Sequence, residues 1–412
     1  MTKRLTINAP ERLRASVVLP SSKSLCNRVL MIGALAGGEQ PANLSDCDDT
    51  RVMVRALGNG GHETDVMGAG TAMRFLTAYF SITPGERTIT GSERMRQRPI
   101  GVLVDALRSL GADIAYADKE GFPPLRICGR RLEGGELSLS GSVSSQYVSA
   151  LMMIGPMLER GLTLRLTGEI VSRSYIDLTM SVMRDFGATV SWTDESTIEV
   201  ASGGYTPTPY SVENDWTAAS YWYEMVALSK DPDAEVRLPG LRDDSAQGDR
   251  AVAKMFERLG VETAFDGTTA IIRKRAIAAK GTVEMDFTDN PDLAQTLVVT
   301  CCTLNLPFRF TGLQSLRIKE TDRIAALETE LRKWGYELKD EKDSIMQWDG
   351  TRTDTSGSAA IDTYDDHRMA MSFAPACLHR DSVTINNPEV VTKSYPTFWD
   401  SLRTAGFKIN HA

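Results

Sequence analysis

The sequence lacks the features by which several classes of protein are recognised. No run of about 18 apolar residues is present, as a membrane-spanning helix would require, and the N-terminal stretch MTKRLTINAPERLRAS has no apolar signal core. There are only 4 histidines and 6 cysteines; no two cysteines form a CxxC pair, and the histidines show no metal-ligand spacing. We therefore expect a cytoplasmic protein with reduced thiols, no membrane association and no bound metal.

Positive charge is also in deficit, since the formal net charge is −8. A protein that coats nucleic acid is more often basic, so we expect no nucleic-acid partner. Any anionic ligand must instead be held by cations gathered locally. With 412 residues, 42% hydrophobic and 24% charged, the chain is long enough for two domains with separate cores.

What the sequence does contain is a repeat. An amphipathic helix that ends in glycine recurs six times, and in most copies a short strand-like run follows. The copies are VMVRALGNGG, VLVDALRSLGADI, MSVMRDFGATV, AVAKMFERLGVET, ALETELRKWGYEL and FWDSLRTAGFKI. Their glycines, from Gly58 to Gly406, are separated by 71 to 76 residues, except for a first interval of 53. Near-constant spacing indicates a structural repeat whose first copy is shortened.

A second helix type, apolar on most faces, also occurs six times, as in RVLMIGALAGG and PDLAQTLVVTCCTL. Each repeat therefore pairs one buried and one amphipathic helix with short strands, which predicts an α/β fold. The Pro- and Gly-containing segment 203–216 divides the repeats three and three. We expect an N-terminal lobe over residues 20–213, a C-terminal lobe over 214–412 and a cleft between them.

Cations precede several of these helices, where the helix dipole disfavours them unless an anion binds. Free backbone N–H groups at a helix start form a ready site for phosphate or carboxylate, so the pattern favours a shared anionic ligand. Each group also has an ordinary interpretation. Arg94, Arg96 and Arg98 could be a solvated cluster, and Lys319, Glu320 and Arg323 an exposed charged face. Ser144 and Ser145 could be a helix cap, Asp292 a first-turn acid and His367 a structural side chain.

The motifs resemble the 5-enolpyruvylshikimate-3-phosphate synthase (3-phosphoshikimate 1-carboxyvinyltransferase) family along nearly the whole chain. They occur in order as SKSLCNR (22–28), GAGTAMRF (68–75), RQRPIGVLVDAL (96–107), VSSQYVSA (143–150), VSRSYIDLT (171–179), PDLAQT (291–296), RIKETDR (317–323), DDHRMAM (365–371) and TKSYPTFW (392–399). No single motif is specific, but all of them in sequence are.

The resemblance implies a two-lobed, inverse α/β barrel-like fold of six βαβαββ repeats, with the first strand (residues 1–19) in the C-terminal lobe and the active site in the interdomain cleft. It implies transfer of the enolpyruvyl group of phosphoenolpyruvate to the 5-hydroxyl of shikimate 3-phosphate. The reaction proceeds by addition and elimination through a tetrahedral intermediate and releases phosphate. It also implies a monomer that acts on these two small molecules and needs no cofactor.

The family's site residues transfer to matching motif positions here. Asp292 is expected to be the base, Glu320 the acid, and Lys23 a further catalytic group. The residues expected to bind shikimate 3-phosphate are Lys23, Ser24, Arg28, Ser144, Ser145, Gln146, Ser172, Tyr175, Asp292, Ser315 and Lys319. Those expected to bind phosphoenolpyruvate are Lys23, Gly70, Arg98, Gln146, Arg323, Arg368 and Lys393.

Some positions depart from the family pattern, and two alternatives stay open. Gly68 and Ser315 stand where Asn is common, and Phe75 stands where Pro is common. One alternative is the sibling enzyme that transfers enolpyruvate to a nucleotide-linked amino sugar, although its reactive loop cysteine has no counterpart in RQRPIG. The other is a non-catalytic binding protein, which predicts loss of the acid and base that are present here.

Overall fold

The computed structural model describes residues 3–58, 61–355 and 359–411. The chain divides into two compact units: an N-terminal unit, Ser21–Val212, and a C-terminal unit formed by Met1–Pro20 together with Glu213–Ala412. The N-terminal unit is therefore an insertion between the first strands and the remainder of the C-terminal unit. The chain returns from the N-terminal unit to the C-terminal unit between Val212 and Glu213, within segment 203–216.

The N-terminal unit contains seven helices and eight strands among its described residues. The helices are α1 (Lys23–Ala36), α2 (Asp48–Gly58), α3 (Gly70–Ile82), α4 (Glu93–Arg96), α5 (Gly101–Ser109), α6 (Ser145–Ile154) and α7 (Arg173–Asp185). The strands are β3 (Glu63–Asp65), β4 (Gly85–Thr90), β5 (Asp113–Tyr116), β6 (Leu125–Gly129), β7 (Gly135–Ser140), β8 (Leu162–Thr167), β9 (Val190–Trp192) and β10 (Thr197–Val200).

The C-terminal unit begins with β1 (Arg4–Asn8) and β2 (Arg14–Ser16) and resumes after the insertion. Its helices are α8 (Trp216–Leu228), α9 (Val252–Glu257), α10 (Ala294–Thr303), α11 (Arg323–Arg332), α12 (His367–Phe373) and α13 (Phe398–Thr404). Its later strands are β11 (Glu235–Pro239), β12 (Val261–Asp266), β13 (Thr269–Lys274), β14 (Val283–Asp286), β15 (Phe308–Thr311), β16 (Lys339–Glu341), β17 (Ile345–Trp348), β18 (Val383–Asn386) and β19 (Lys408–His411). Short 3₁₀ helices cover Gly248–Ala251, Pro291–Leu293, Gln314–Ile318 and Pro388–Lys393.

One strand order recurs in four four-stranded sheets. The orders are β3-β4-β6-β5, β7-β8-β10-β9, β2-β11-β13-β12 and β14-β15-β17-β16. In each sheet the first two strands are parallel and the other neighbours are antiparallel. A parallel pair needs a crossover, which the buried helix supplies, whereas the last two strands form a hairpin. This is a βαβαββ unit, and the predicted α/β repeat fold is confirmed.

The first and last repeats differ from this pattern. In the last, strand β18 pairs with Ile361 through a single parallel bridge, and β1 lies antiparallel between β18 and β19. Strand β1 therefore occupies the position that the fourth strand has in the other sheets. Around α1 and α2, the described residues contribute one isolated parallel bridge, Ala42 with Ser211, rather than a four-stranded sheet. This is the repeat whose glycine interval is short.

The repeat glycines end helices through left-handed backbone. Five of them have positive φ: Gly111 (97°), Gly187 (82°), Gly260 (85°), Gly335 (85°) and Gly406 (94°). Only glycine adopts this conformation without a steric penalty, so these positions reverse the chain at the end of each amphipathic helix. The sequence prediction of glycine-terminated helices is confirmed at these five positions.

Each unit has its own hydrophobic core, formed around its most apolar helices. In the C-terminal unit, every residue of α8 except Thr217 is buried, including Trp216, Trp222 and the carboxyl-bearing Glu224. In the N-terminal unit, every residue of α6 except Gln146 is buried. The predicted buried helices are therefore confirmed. None of the helices in the described part of the chain is long and apolar enough to cross a membrane.

Candidate functional site

The expected site residues fall into two groups, one in each unit. In the N-terminal unit, Lys23 is the first residue of α1, where the side chain of Ser22 caps the helix by accepting from Leu25 N at 3.4 Å. The Nζ atom of Lys23 lies 3.6 Å from an Oδ atom of the buried Asp49. Asp49 lies in the first turn of α2, so it holds the lysine at the neighbouring helix start.

Arg28, one turn further along α1, is buried and fully engaged inside its unit. Its guanidinium donates to Thr179 Oγ1 at 2.7 Å, Ser149 Oγ at 3.3 Å and the carbonyl oxygens of Ser24 (2.9 Å) and Tyr175 (3.1 Å). Burial lowers the pKa of Arg28 to about 10, and Tyr175 offsets part of this effect. Arg28 therefore ties α1 to α6 and α7 and fixes the start of α1.

The helix starts of α6 and α7 carry the remaining polar side chains. Ser144 caps α6 by accepting from Gln146 N at 3.3 Å, which confirms the ordinary capping interpretation. The amide of Gln146 donates to Thr71 Oγ1, in the first turn of α3, at 3.1 Å. Ser172, before α7, has φ of 57°, an uncommon conformation for a residue with a side chain.

Arg98 lies directly over Gly70, the first residue of α3. A Cβ atom added to Gly70 would lie 2.5 Å from Arg98 Nη1. The backbone beside Arg98 is anchored because Pro99 O accepts from Tyr147 Oη at 2.6 Å and from Arg74 Nη2 at 3.0 Å. Glycine is therefore required at position 70 for the guanidinium to sit against the start of α3.

In the C-terminal unit, Asp292 is the second residue of the 3₁₀ turn Pro291–Leu293, which leads into α10. Its Oδ1 atom lies 2.9 Å from Arg323 Nη1 and 3.5 Å from Lys319 Nζ, and its Oδ2 atom lies 3.0 Å from Arg368 Nη2. Three cations thus surround one carboxylate.

These four residues form a C-terminal cluster together with Glu320, Asp366 and Lys393. Arg323 lies at its centre, and its side chain is only 1% exposed. Besides Asp292, it contacts Glu320 Oε2 at 2.8 Å and Asp366 Oδ2 at 2.7 Å. Its position at the first residue of α11 is made possible by Asp322, whose side chain caps the helix by accepting from Ala325 N. Carboxylates of its own unit therefore neutralise the cation that the sequence places at this helix start.

The other expected residues of this unit complete the C-terminal cluster. Lys393, at the end of the 3₁₀ helix Pro388–Lys393, lies 3.1 Å from Glu320 Oε1. Arg368, in the first turn of α12, also contacts Tyr221 Oη at 3.3 Å. Ser315 Oγ, in the helix Gln314–Ile318, is buried without a hydrogen-bond partner among the described residues.

The proton affinities in the C-terminal cluster follow from burial and close charges. Burial raises the pKa of Asp292, but Arg368, Lys319 and Arg323 outweigh burial and hold this pKa well below its usual value. Burial lowers the pKa of Lys319 even though Asp292 lies beside it. For Arg323, burial works against the charged form, but the neighbouring carboxylates raise the pKa above its usual value. In this state Asp292 is an ionised, weakly basic carboxylate.

Several contacts in these groups were not predicted from the sequence. Among them are the pairing of Lys23 with Asp49, the pairing of Arg323 with Asp366, the contact of Arg368 with Tyr221, and the anchoring of Pro99 by Arg74 and Tyr147. The acidic pair in DDHR was visible as a helix start, and Asp366 does cap α12 by accepting from Arg368 N at 2.9 Å. Its second partner, Arg323, lies 43 positions away in the sequence and had no local signal.

Neither group has the composition of a metal centre. In the described ranges, no three or more His, Cys, Asp or Glu side chains come together in a way that could hold a metal ion. Each acid of the C-terminal cluster instead faces arginine or lysine. The chemistry available is binding of anions by guanidinium and ammonium groups, together with proton transfer by two carboxylates.

Comparison with solved structures gives the fold class. The chain superposes on an EPSP synthase from Acinetobacter baumannii with a TM-score of 0.77 and 23% identity, covering 99% of this chain and 100% of the other. The enolpyruvyl transferase NikO from Streptomyces tendae gives a TM-score of 0.73 at 16% identity, covering 100% and 99%. The molecule has the fold of the enolpyruvyl transferases.

Sequence comparison identifies the family within that fold. The sequence model of EPSP synthase (3-phosphoshikimate 1-carboxyvinyltransferase) matches residues 7–67 and 61–402. A 3-phosphoshikimate 1-carboxyvinyltransferase of Bacteroides fragilis is 57% identical over 407 residues, covering 98% of each chain. One of Vibrio cholerae is 37% identical over 425 residues, covering 96% of this chain and 98% of the relative. The chain belongs to the EPSP synthase family.

Proposed function

We propose that this protein transfers the enolpyruvyl group of phosphoenolpyruvate to the 5-hydroxyl of shikimate 3-phosphate and releases phosphate. Family membership over almost the whole chain supports the overall reaction. The observation that carries the mechanism is that Arg323 contacts both Asp292 and Glu320, at 2.9 and 2.8 Å. One cation thus stabilises the ionised form of both the proposed base and the proposed acid.

Substrate binding is proposed to redistribute the charges of the C-terminal cluster. The phosphate and carboxylate of phosphoenolpyruvate compete for Arg323, Arg368 and Lys393, whose present partners are Asp292 and Glu320. Bidentate binding of phosphate or carboxylate is the interaction for which a guanidinium is best shaped. As the cations turn to the substrate, the pKa of each carboxylate rises because its stabilising charge is shared.

The two carboxylates then perform opposite proton transfers. Asp292 removes the proton of the 5-hydroxyl as that oxygen bonds to C2 of phosphoenolpyruvate, and Glu320 delivers a proton to C3. A tetrahedral intermediate with a methyl group results. In the second step a proton leaves this methyl group, the bond from C2 to the phosphate oxygen breaks, and phosphate departs. Glu320, with a cation on either side, is placed to give and regain this proton.

The N-terminal group is proposed to bind the remaining anionic parts of the substrates. Free N–H groups at the starts of α1, α6 and α7 and the side chains of Lys23, Ser144 and Ser172 suit the phosphate of shikimate 3-phosphate. Arg98 beside Gly70 suits phosphoenolpyruvate. We propose that both groups act on one pair of substrates.

The reaction is tested by phosphate release from purified protein supplied with both substrates, with each substrate alone as the control. Release that needs both, and that is lost in Lys23→Ala, supports the transferase and the role of Lys23. Release with phosphoenolpyruvate alone would indicate a phosphatase. Release with a nucleotide-linked amino sugar instead would favour the sibling enzyme, and no release with any acceptor would favour the non-catalytic alternative.

We also propose that the protein acts as a monomer in the cytoplasm. None of the six cysteines, all of which lie in the described part of the chain, forms a disulfide bond, as a reducing compartment favours. Sedimentation at micromolar concentration with both substrates present tests the first point, because a dimer would sediment at twice the mass.

A further inference from the structure

We propose that Asp249, which lies outside the motifs assigned above, is a positioning residue for Asp292 and that its charge strengthens Asp292 as a base. The inference rests on the proposed function. Asp249 lies in the 3₁₀ helix Gly248–Ala251, before α9, and is only 3% exposed.

Asp249 is bound to the element that carries Asp292. Its Oδ1 atom accepts a hydrogen bond from Asn290 Nδ2 at 3.2 Å, and its Oδ2 atom accepts from Thr217 Oγ1. Asn290 is the N-cap of the turn Pro291–Leu293, and its carbonyl accepts from Leu293 N at 3.1 Å. Asn290 is therefore held at both its backbone and its side chain, two residues before Asp292.

The chain around Asp249 is itself held firmly. Gln247, two residues earlier, donates from Nε2 to Glu213 Oε2 at 2.9 Å and to Asn214 O at 2.8 Å, and its Oε1 atom accepts from Trp216 N at 3.2 Å. These partners form the first residues of the C-terminal unit after the insertion and lead directly into α8. Asp249 is thus held in place, and its hydrogen bond to Asn290 positions the turn Pro291–Leu293.

Charge couples Asp249 to the same site. Burial, and after it the charge of Asp292, raise the pKa of Asp249 to about 6. Thr217 and Arg368 act in the opposite direction, and Asp215 adds a smaller increase. Above about pH 6 Asp249 is therefore ionised, and its negative charge favours protonation of Asp292. The three cations around Asp292 make it a weak base. The negative charge of the buried Asp249 raises the basicity of Asp292.

A purely structural role for Asp249, as a buried acceptor for Thr217 and Asn290, makes a different prediction. Loss of structural support would lower activity by the same factor at every pH and would lower the melting temperature. Loss of the charge effect would lower activity only where the wild-type side chain is ionised. A buried ionised carboxylate also destabilises the fold as pH rises through its raised pKa, so its neutral isostere need not be less stable.

The test compares wild type with Asp249→Asn between pH 5 and 8.5, using phosphate release to obtain kcat and KM. The ratio of wild-type to variant kcat cancels the ionisation of the substrates, which is common to both proteins. We expect this ratio to be near 1 below pH 5.5 and to rise to at least about fivefold above pH 7, with KM values within about twofold. The matched control is Asp244→Asn, an exposed acid of the same loop that pairs with Arg242; its ratio should stay near 1.

Three outcomes would overturn the inference. They are a ratio that does not vary with pH, a ratio near 1 throughout, and a fall in the variant's melting temperature at pH 8 large enough to explain its lower activity. Absence of phosphate release from the wild-type protein would instead contradict the proposed function, so the two failures are distinguishable.

Discussion

Asp292 can act as the proposed base only if its surroundings change. With Arg323, Arg368 and Lys319 in contact, it is a weakly basic carboxylate, and its proposed role as a base needs ligand binding to draw those cations away. The presence of an acid after Asn290-Pro291 was readable in the sequence. Its contacts with Lys319, Arg323 and Arg368 were not, because these residues lie far from Asp292 in the sequence and only tertiary packing brings them to it.

The first prediction is that Asp292→Asn lowers kcat by about 10²- to 10⁴-fold, the range typical of losing a general base. The amide keeps the size of the side chain but cannot take the proton from the acceptor hydroxyl. Binding of shikimate 3-phosphate, measured by calorimetry without phosphoenolpyruvate, should persist. The control is Asp289→Asn, an exposed acid three residues earlier. Unchanged turnover in Asp292→Asn would remove Asp292 from the role of base.

At the scale of elements, many of the residues assigned to the proposed site lie at helix starts. Helix type, glycine ends and the polar residues at the starts were predictable, because periodicity and capping are local properties. The pairing of strands was not, since β1 completes a sheet with strands from the other end of the chain, at residues 383–386 and 408–411. The position of Arg98 over the start of α3 likewise depends on contacts between elements.

The second prediction concerns this contact. Gly70→Ala would place a Cβ atom 2.5 Å from Arg98 Nη1, so the guanidinium must move away from the start of α3. A charge-assisted hydrogen bond contributes about 1.5–3 kcal/mol, so kcat/KM for phosphoenolpyruvate should fall by about tenfold or more. KM for shikimate 3-phosphate and the melting temperature should change little, because only a flexible side chain is displaced.

The matched control is Gly33→Ala in α1, where an added Cβ atom meets nothing within 4 Å. That change should stabilise the helix by about 0.5–1 kcal/mol and leave both KM values unaltered. Equal kinetics for Gly70→Ala and wild type would show that Arg98 does not act from this position.

The third prediction concerns α8, which buries Glu224 with neither carboxyl oxygen hydrogen-bonded to another described residue. Burial raises the pKa of Glu224 well above its usual value, and Thr300 offsets part of this effect. The folded state therefore binds this proton more tightly than the unfolded state. Stability from this group is complete below the unfolded pKa of about 4.5 and is lost as pH rises through the folded value.

Glu224→Gln should therefore raise the melting temperature by about 2 °C or more at pH 8, and by less at pH 5, as followed by calorimetric scans. Glu257→Gln, an exposed acid of α9, serves as the control and should show no such pH dependence. A lower melting temperature at both pH values would contradict the account of α8.

At the scale of the whole molecule, the chain joins two units that each place charged side chains at helix starts. The count of repeats was readable from glycine spacing, because a repeat leaves a periodic trace, and the Pro- and Gly-containing segment 203–216 indicated the three-plus-three division. The reaction itself required the family motifs, since helix starts lined with cations suit many anions. What the structure adds is the pairing of the cations with Asp292 and Glu320, on which the proposed link between substrate binding and proton transfer rests.

The central claim, addition followed by elimination with proton transfer at C3, is tested most directly by running the reaction in D₂O. The transient methyl group carries one solvent deuteron beside two protons, and elimination removes one of these three. The enolpyruvyl methylene of the product should therefore contain deuterium by mass spectrometry. The product should disappear in Glu320→Gln. Product formed without deuterium in its methylene group would contradict addition and elimination at C3, and absence of product from the wild-type protein would contradict the transferase.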